Sequence, residues 1–178
     1  MDVILLWFEG LSRNLLITAL SAIIPLGLGV LFTFFASRNR IAETVFSWMS
    51  LPSECVCPVL MMLVLYYQVL ADLGIDVSAI AVAVMAFTCC FSFYMPARFV
   101  RSDSFLKNVL VNGLGLLSSL FKWSFCVSFI GIVDMLKVAS MMGNKVYNYR
   151  YYVIPFMVCL IIVGCLEAGK RLIKQFMK

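Results

Sequence analysis

Long apolar stretches separated by short polar breaks dominate this chain. Five such stretches run at about 15–36, 41–70, 77–96, 108–136 and 151–166. A helix needs roughly 20 mostly apolar residues to cross a bilayer. Because backbone polar groups must be satisfied internally in lipid, apolar stretches of this length favour helices. The pattern predicts an all-α integral membrane protein with five spanning helices in a single transmembrane domain, residues 1–178.

The composition strengthens this prediction. The chain has 178 residues, of which 63% are hydrophobic and 13% are charged, and its mean hydropathy is +1.03. Soluble domains are roughly 45–50% apolar and about 25% charged. We therefore expect a multi-pass protein whose main surroundings are the lipid bilayer.

Basic residues are distributed unequally between the two sets of loops that five spans create. One set, the loops 37–43, 98–107 and 167–178, holds nine: Arg38, Arg40, Arg98, Arg101, Lys107, Lys170, Arg171, Lys174 and Lys178. The other set holds four: Arg13, Lys137, Lys145 and Arg150. Because Lys and Arg accumulate in cytoplasmic loops, the N-terminus is predicted outside and the C-terminus in the cytoplasm.

Several kinds of chemistry are disfavoured by the residues present. The chain has no histidine, and its seven cysteines lie mostly in apolar runs without zinc-type spacing. Buried cysteine usually behaves as a small hydrophobe. We expect no metal, no cofactor and no enzymatic activity. The net charge of +5 follows from the cytoplasmic loops, so no nucleic-acid partner is predicted.

A polar stripe runs along the fourth stretch. Its members are spaced by four, three, four and three residues: Asn108, Asn112, Gly115, Ser119 and Lys122. At 3.6 residues per turn they share one helix face, which must contact protein or water because it cannot face acyl chains. One interpretation is a helix-packing seam, since small and hydroxyl residues let membrane helices approach closely. The other is the wall of a translocation pathway.

Three charged residues lie deep within the apolar stretches. Lys122 and Asp134 are twelve residues apart, roughly 18 Å along a straight helix, so they cannot pair unless the helix bends, for example at Gly131. Glu54 lies between Pro52 and Pro58, where the backbone ladder is interrupted. Ionisable residues at membrane depth are candidate functional residues.

The region around Lys122 contains a motif. Its members are Lys122, Ser124, Val127, Ser128, Ile130, Gly131 and Asp134. This spacing resembles a signature of the transmembrane permease subunits of type I ABC importers for polar amino acids, with Ser in place of Thr and Asp in place of Glu. Weaker similarities extend along the chain: Gly10-Leu11 before the first span, and Pro58 followed by Tyr66-Tyr67.

The resemblance implies a location, partners and a role. The chain would lie in the bacterial inner membrane with a second permease subunit or its own copy, an ATPase and a periplasmic solute-binding protein. Lys122, Ser124, Ser128 and the Asn108–Asn112 face would line the pathway. The family's cytoplasmic Glu-Ala-Ala…Gly motif, which forms the coupling helix, is not found between Arg101 and Lys122.

Two functional hypotheses follow. In the first, the chain is a transmembrane subunit of an ABC-type importer of amino acids or similar polar solutes, as a degenerate half of a heteromer that does not itself couple to the ATPase. In the second, it is a structural or anchoring subunit of a larger membrane complex, and the polar stripe is a subunit contact.

Overall fold

The chain folds as a bundle of helices. The computed structural model describes residues 3–75, 77–98, 103–146 and 149–177, and within these it contains no strand. Four helical segments are long and apolar enough to cross a membrane: Ile4–Arg38, Ala79–Ala97, Phe105–Ile130 and Arg150–Phe176. The all-α class and the multi-pass character are confirmed. The count of five spans and the membrane orientation stay predictions.

Nine α-helices are present in the described residues, and several continue into short π or 3-10 segments. In chain order they are α1 (Val3–Arg38), α2 (Arg40–Cys55), α3 (Pro58–Val64), a π-helix (Leu65–Val69), α4 (Leu70–Asp72), α5 (Ala79–Phe91), α6 (Tyr94–Ala97), α7 (Phe105–Ser124), a 3-10 helix (Phe125–Ile130), α8 (Met135–Val146), a 3-10 helix (Tyr149–Tyr152) and α9 (Val153–Phe176).

The second apolar stretch is divided between two helices. The division lies at residues 56–57, with Cys57 in an extended conformation and Pro58 as the first residue of α3. Proline disfavours helix in the residue before it and suits the first helical position, which explains a break at this point. The shorter apolar helix Pro58–Asp72 is the remaining candidate for a fifth span.

The fourth apolar stretch is not one continuous helix. Its long helical segment ends at Ile130, and Gly131 follows with a φ of +88° in the left-handed region that favours glycine. A separate helix, α8, begins at Met135. The predicted stretch 108–136 is therefore interrupted as a helix, because Gly131 turns the chain before Asp134, and its bounds as a membrane span stay a prediction.

The remaining boundaries differ mainly because helices continue past their apolar windows. α1 starts twelve residues before the predicted 15, at Val3, and α9 ends ten residues after the predicted 166, at Phe176. These extensions carry charged residues, including Glu9, Arg13 and Lys174. Hydropathy locates the hydrocarbon-crossing part of a helix, whereas the backbone hydrogen bonds continue beyond it.

The core lies around α1, which packs against α5, α6, α7 and α8. Large fully buried side chains fill this core: Ile17, Met62, Phe87, Met95, Leu116 and Leu120. α9 packs mainly against α7 and leaves most of its surface uncovered, since Pro155 is its one buried residue among those described. Its exposed apolar face suits lipid or a second subunit.

Aromatic contacts bring the ends of several helices together at one end of the bundle. Phe32 near the end of α1 stacks on Phe46 and on Phe93, and Phe34 contacts Phe105 edge to face. The ends of α1 and α6 and the start of α7 thus meet at one end, with Arg38, Arg40, Arg98 and Lys107, which we call the basic end. Two of the loops predicted to be cytoplasmic, 37–43 and 98–107, therefore lie close together at this end.

Candidate functional site

The first two members of the polar stripe hold the connection between α6 and α7. Asn108 Nδ2 donates to the carbonyl oxygens of Asp103 and Ser104, both at 3.3 Å. Asn112 Nδ2 donates to the Arg98 carbonyl oxygen at 3.1 Å. Both side chains are buried. Buried amides need such partners, so these two residues fix the chain at the basic end.

The middle of the stripe packs against α6 and α9. A Cβ on Gly115 would lie 2.9 Å from the Tyr94 hydroxyl and 3.6 Å from Lys170 Nζ. The Ser119 hydroxyl lies 3.4 Å from the Tyr94 hydroxyl. Lys170 itself pairs with Glu167 at 3.3 Å. The stripe therefore faces protein, and the α9 tail lies at the basic end.

Lys122 is separated from the rest of the stripe. It lies at the other end of α7, and its side chain is exposed. With Tyr152, Pro155 and Cys159 it lines an open hollow between α7 and α9. Its ammonium forms no ion pair with a carboxylate among the residues that the structure describes. Within this chain the Lys122 side chain is thus exposed beside the hollow, and its predicted pathway role stays a prediction.

The two serines of the motif have different surroundings. Ser124 is fully buried, and its hydroxyl donates to the Phe121 carbonyl oxygen at 2.8 Å. Ser128 is partly exposed, lies 3.5 Å from the Phe125 carbonyl oxygen and lines a second hollow beside that of Lys122. Ser124 thus acts within its own helix, whereas Ser128 is accessible.

Asp134 caps α8. Its Oδ1 accepts a hydrogen bond from the Lys137 backbone N–H at 2.8 Å, and the residue is fully buried. Burial raises the pKa of the Asp134 carboxyl from 3.8 to about 6, although backbone hydrogen bonds from Lys137, Asp134 and Leu136 and the positive charge of Lys137 oppose this rise. Because the long apolar segment ends at Ile130, Asp134 lies outside it. It therefore acts as a helix cap and does not pair with Lys122.

α1 packs directly against the start of α8, where Asp134 forms the cap. A Cβ on Gly10 would lie 2.9 Å from the Met135 nitrogen, so the two backbones are in direct contact. Arg13 Nη1 lies 3.4 Å from the Val133 carbonyl oxygen and pairs with Glu9. The close approach explains the glycine in the Gly10-Leu11 sequence.

Glu54 is a helical residue of α2, but its side chain lies outside the described part of the structure. No group of three or more metal-ligating side chains occurs among the described residues.

The sequence did not indicate Tyr94, Lys137 and Tyr152 as residues of the site. Lys137 and Tyr152 line the same hollow as Ser128, and Tyr94 joins Gly115 and Ser119 to α6. Tyr94 lies two residues before Pro96, at the end of an apolar stretch, which is the position where aromatic residues anchor membrane helices.

The fold is similar to that of a known membrane transporter chain. The structure matches a chain from a crystal structure of an amino acid ABC transporter with histidines, with a TM-score of 0.75 and 19% sequence identity. The match covers 96% of this chain and 93% of the other. No family model and no curated protein matches the sequence. The chain therefore has a permease-like fold, as the motif around Lys122 predicted.

Proposed function

We propose that this chain is a transmembrane subunit of an ABC-type importer for amino acids or similar polar solutes in the bacterial inner membrane. The observation that carries the proposal is the fold, because its likeness to an amino acid ABC transporter chain extends over nearly the whole of both chains. The motif from Lys122 to Asp134 supports it independently. Any ATP hydrolysis belongs to a partner ATPase, and a periplasmic binding protein delivers the solute.

The connection between α6 and α7 supports a heteromer. It comprises seven residues, 98–104, and its ends are tied down by Asn108 and Asn112. Seven residues give less than two turns of helix at 3.6 residues per turn. A coupling element has to be rigid, and the Glu-Ala-Ala…Gly motif expected for it is not found in this part of the sequence. In our proposal a second permease subunit contacts the ATPase, and this chain completes the transmembrane pathway.

Among the predicted pathway residues, Lys122 and Ser128 are the best candidates to meet a solute. Both border open hollows. Asn108, Asn112, Ser119 and Ser124 are engaged in contacts within the chain, so their role is to position α7. The role of Glu54 stays a prediction.

The test is to purify the tagged chain in mild detergent and to identify the proteins that accompany it. We expect an ATPase and a second permease subunit. The purified complex is then reconstituted, and uptake of amino acids is measured with Lys122→Ala and with Lys145→Ala as a control of equal charge change. Loss of uptake in the Lys122 variant alone, with the complex still assembled, supports the proposal. Equal uptake in both variants contradicts a pathway role for Lys122.

The structural or anchoring hypothesis is supported by the largely uncovered apolar face of α9, which suits a second subunit. The stripe does not supply the subunit contact that this hypothesis predicted, because Asn108, Asn112 and Ser119 bind groups of their own chain. A complex without an ATPase, or uptake that continues when this chain is deleted, would favour this second function.

A further inference from the structure

Two adjoining hollows form a groove between the end of α7, α8 and the start of α9. One, of about 290 Å³, is lined by Lys122, Phe125, Tyr152, Pro155 and Cys159 among others. The second, of about 250 Å³, is lined by Ser128, Phe129, Lys137, Ser140 and Tyr152 among others. Leu136 and Tyr152 border both hollows. We call the two together the Lys122 groove.

The Lys122 groove carries two positive charges; Lys137 interacts electrostatically with the nearby Asp134 carboxyl, at a distance too long for an ion pair. Lys122 and Lys137 are both exposed, and neither ammonium pairs with a carboxylate among the described residues. One acidic residue, Glu9, lies on α1, and another, Asp134, lies at the start of α8. Glu9 is paired with Arg13, and Asp134 is fully buried with Oδ1 on the Lys137 backbone N–H. The field inside the groove therefore favours an anion.

Hydroxyl groups accompany these charges. Ser128 and Ser140 line the hollow of Lys137, and the phenol of Tyr152 borders both hollows. The Ser128 hydroxyl lies 3.5 Å from the Phe125 carbonyl oxygen, a distance too long for a strong hydrogen bond, so it can donate to another acceptor. Ammonium and hydroxyl donors around one hollow are the groups that bind carboxylate and phosphate oxygens.

We propose that the Lys122 groove is a binding site for an oxyanion, that is, a carboxylate or phosphate group, with Lys122 and Lys137 as its charged ligands. The site does not depend on the proposed transport function. Two sources have the right chemistry. A free acidic solute, such as a dicarboxylic amino acid, would extend the proposed function by naming its substrate class. A phospholipid headgroup is the other source, and exposed Phe129 and Phe156 beside the groove offer surface for acyl chains.

The experiment measures binding to the purified chain in detergent by its thermal stability. The probes are aspartate, inorganic phosphate, phosphatidylglycerol, and phosphatidylcholine as a zwitterionic reference. We expect at least one anionic probe to raise the melting temperature of the unaltered chain more than phosphatidylcholine does. A response to aspartate or phosphate identifies a free solute, and a response to phosphatidylglycerol alone identifies a headgroup.

Charge variants then locate the site. Lys122→Gln with Lys137→Gln should weaken apparent binding by about 30-fold, since one lysine near an anionic headgroup contributes about fivefold. Lys145→Gln is the matched control, because Lys145 is an exposed lysine of α8 that lines a different hollow with Leu6 and Met141. The double variant with Lys122→Arg and Lys137→Arg should retain binding. This result would show that the double glutamine variant loses binding because the charges are removed and not because the chain misfolds.

Two results would overturn the assignment. One is that no anionic probe stabilises the unaltered chain. The other is that the double glutamine variant, with normal circular dichroism and elution, binds the effective probe as tightly as the Lys145 variant. Because these measurements need no partner and no uptake, their failure is distinguishable from failure of the transport proposal.

Discussion

Gly10 and Gly27 make a matched pair within α1, because the same substitution should have opposite effects at the two positions. A Cβ on Gly10 would lie 2.9 Å from the Met135 nitrogen, 3.0 Å from the Asp134 carbonyl carbon and 3.1 Å from the Met135 Cα. All three are backbone atoms, so no side chain can rotate away. Around Gly27 nothing lies within 4 Å of the new atom.

The expected magnitudes follow from these distances. Comfortable contacts between heavy atoms lie near 3.5–4.0 Å, so Gly10→Ala must push α1 and the start of α8 apart by about half an ångström. Forcing a methyl group into a packed contact costs about 1–3 kcal/mol, against a helix-propensity gain of about 1 kcal/mol. We expect Gly10→Ala to be destabilising by up to about 2 kcal/mol and Gly27→Ala to be neutral or stabilising by up to about 1 kcal/mol.

The assay is thermal unfolding in detergent, followed by tryptophan fluorescence. Trp7 is a local reporter, since it packs with Phe121, Phe125 and Met135 beside the contact. The melting temperature should fall for Gly10→Ala and should stay or rise for Gly27→Ala. If both variants shift equally in the same direction, the direct backbone contact between α1 and the start of α8 is refuted.

Two further predictions concern buried polar groups. The folded-state pKa of Asp134, about 6, lies above its usual 3.8, so the folded chain holds this proton more tightly than the unfolded chain. Stability should therefore fall as the pH rises from about 4 to about 6. The variant Asp134→Asn keeps a capping side chain, so it should lack this pH dependence and should unfold at a higher temperature than the unaltered chain at pH 7.5. An unchanged pH profile in this variant would contradict the prediction. Asn112→Ala should lower the free energy of unfolding by about 1 kcal/mol, because the hydrogen bond from Asn112 to the Arg98 carbonyl is lost. Asn144→Ala, at an exposed site, should change the free energy of unfolding little. Equal effects of the two substitutions in parallel melting curves would show that the bond to Arg98 contributes nothing.

The site was predictable in part. The stripe spacing placed Asn108, Asn112, Gly115 and Ser119 on one face, and the structure shows that this face contacts protein. The same spacing included Lys122, which the structure places on the surface. Periodicity gives the direction of a side chain around its own helix. It does not give the length of the neighbouring helix or the space left beside it, and these decide which part of a face is covered.

Hydropathy and charge along the sequence determined that this is a multi-pass helical membrane protein, because apolar length and backbone hydrogen bonding leave few alternatives in lipid. The motif spacing also pointed to the permease-like fold that the structural comparison supports. Tertiary structure alone decided that Asp134 is buried as a cap of α8, that Asn112 binds the Arg98 carbonyl, and that Lys122 and Lys137 border one groove. The Asn112 bond and the groove join residues on different helices, and the burial of Asp134 depends on α1 lying against the start of α8. No local pattern encodes that packing.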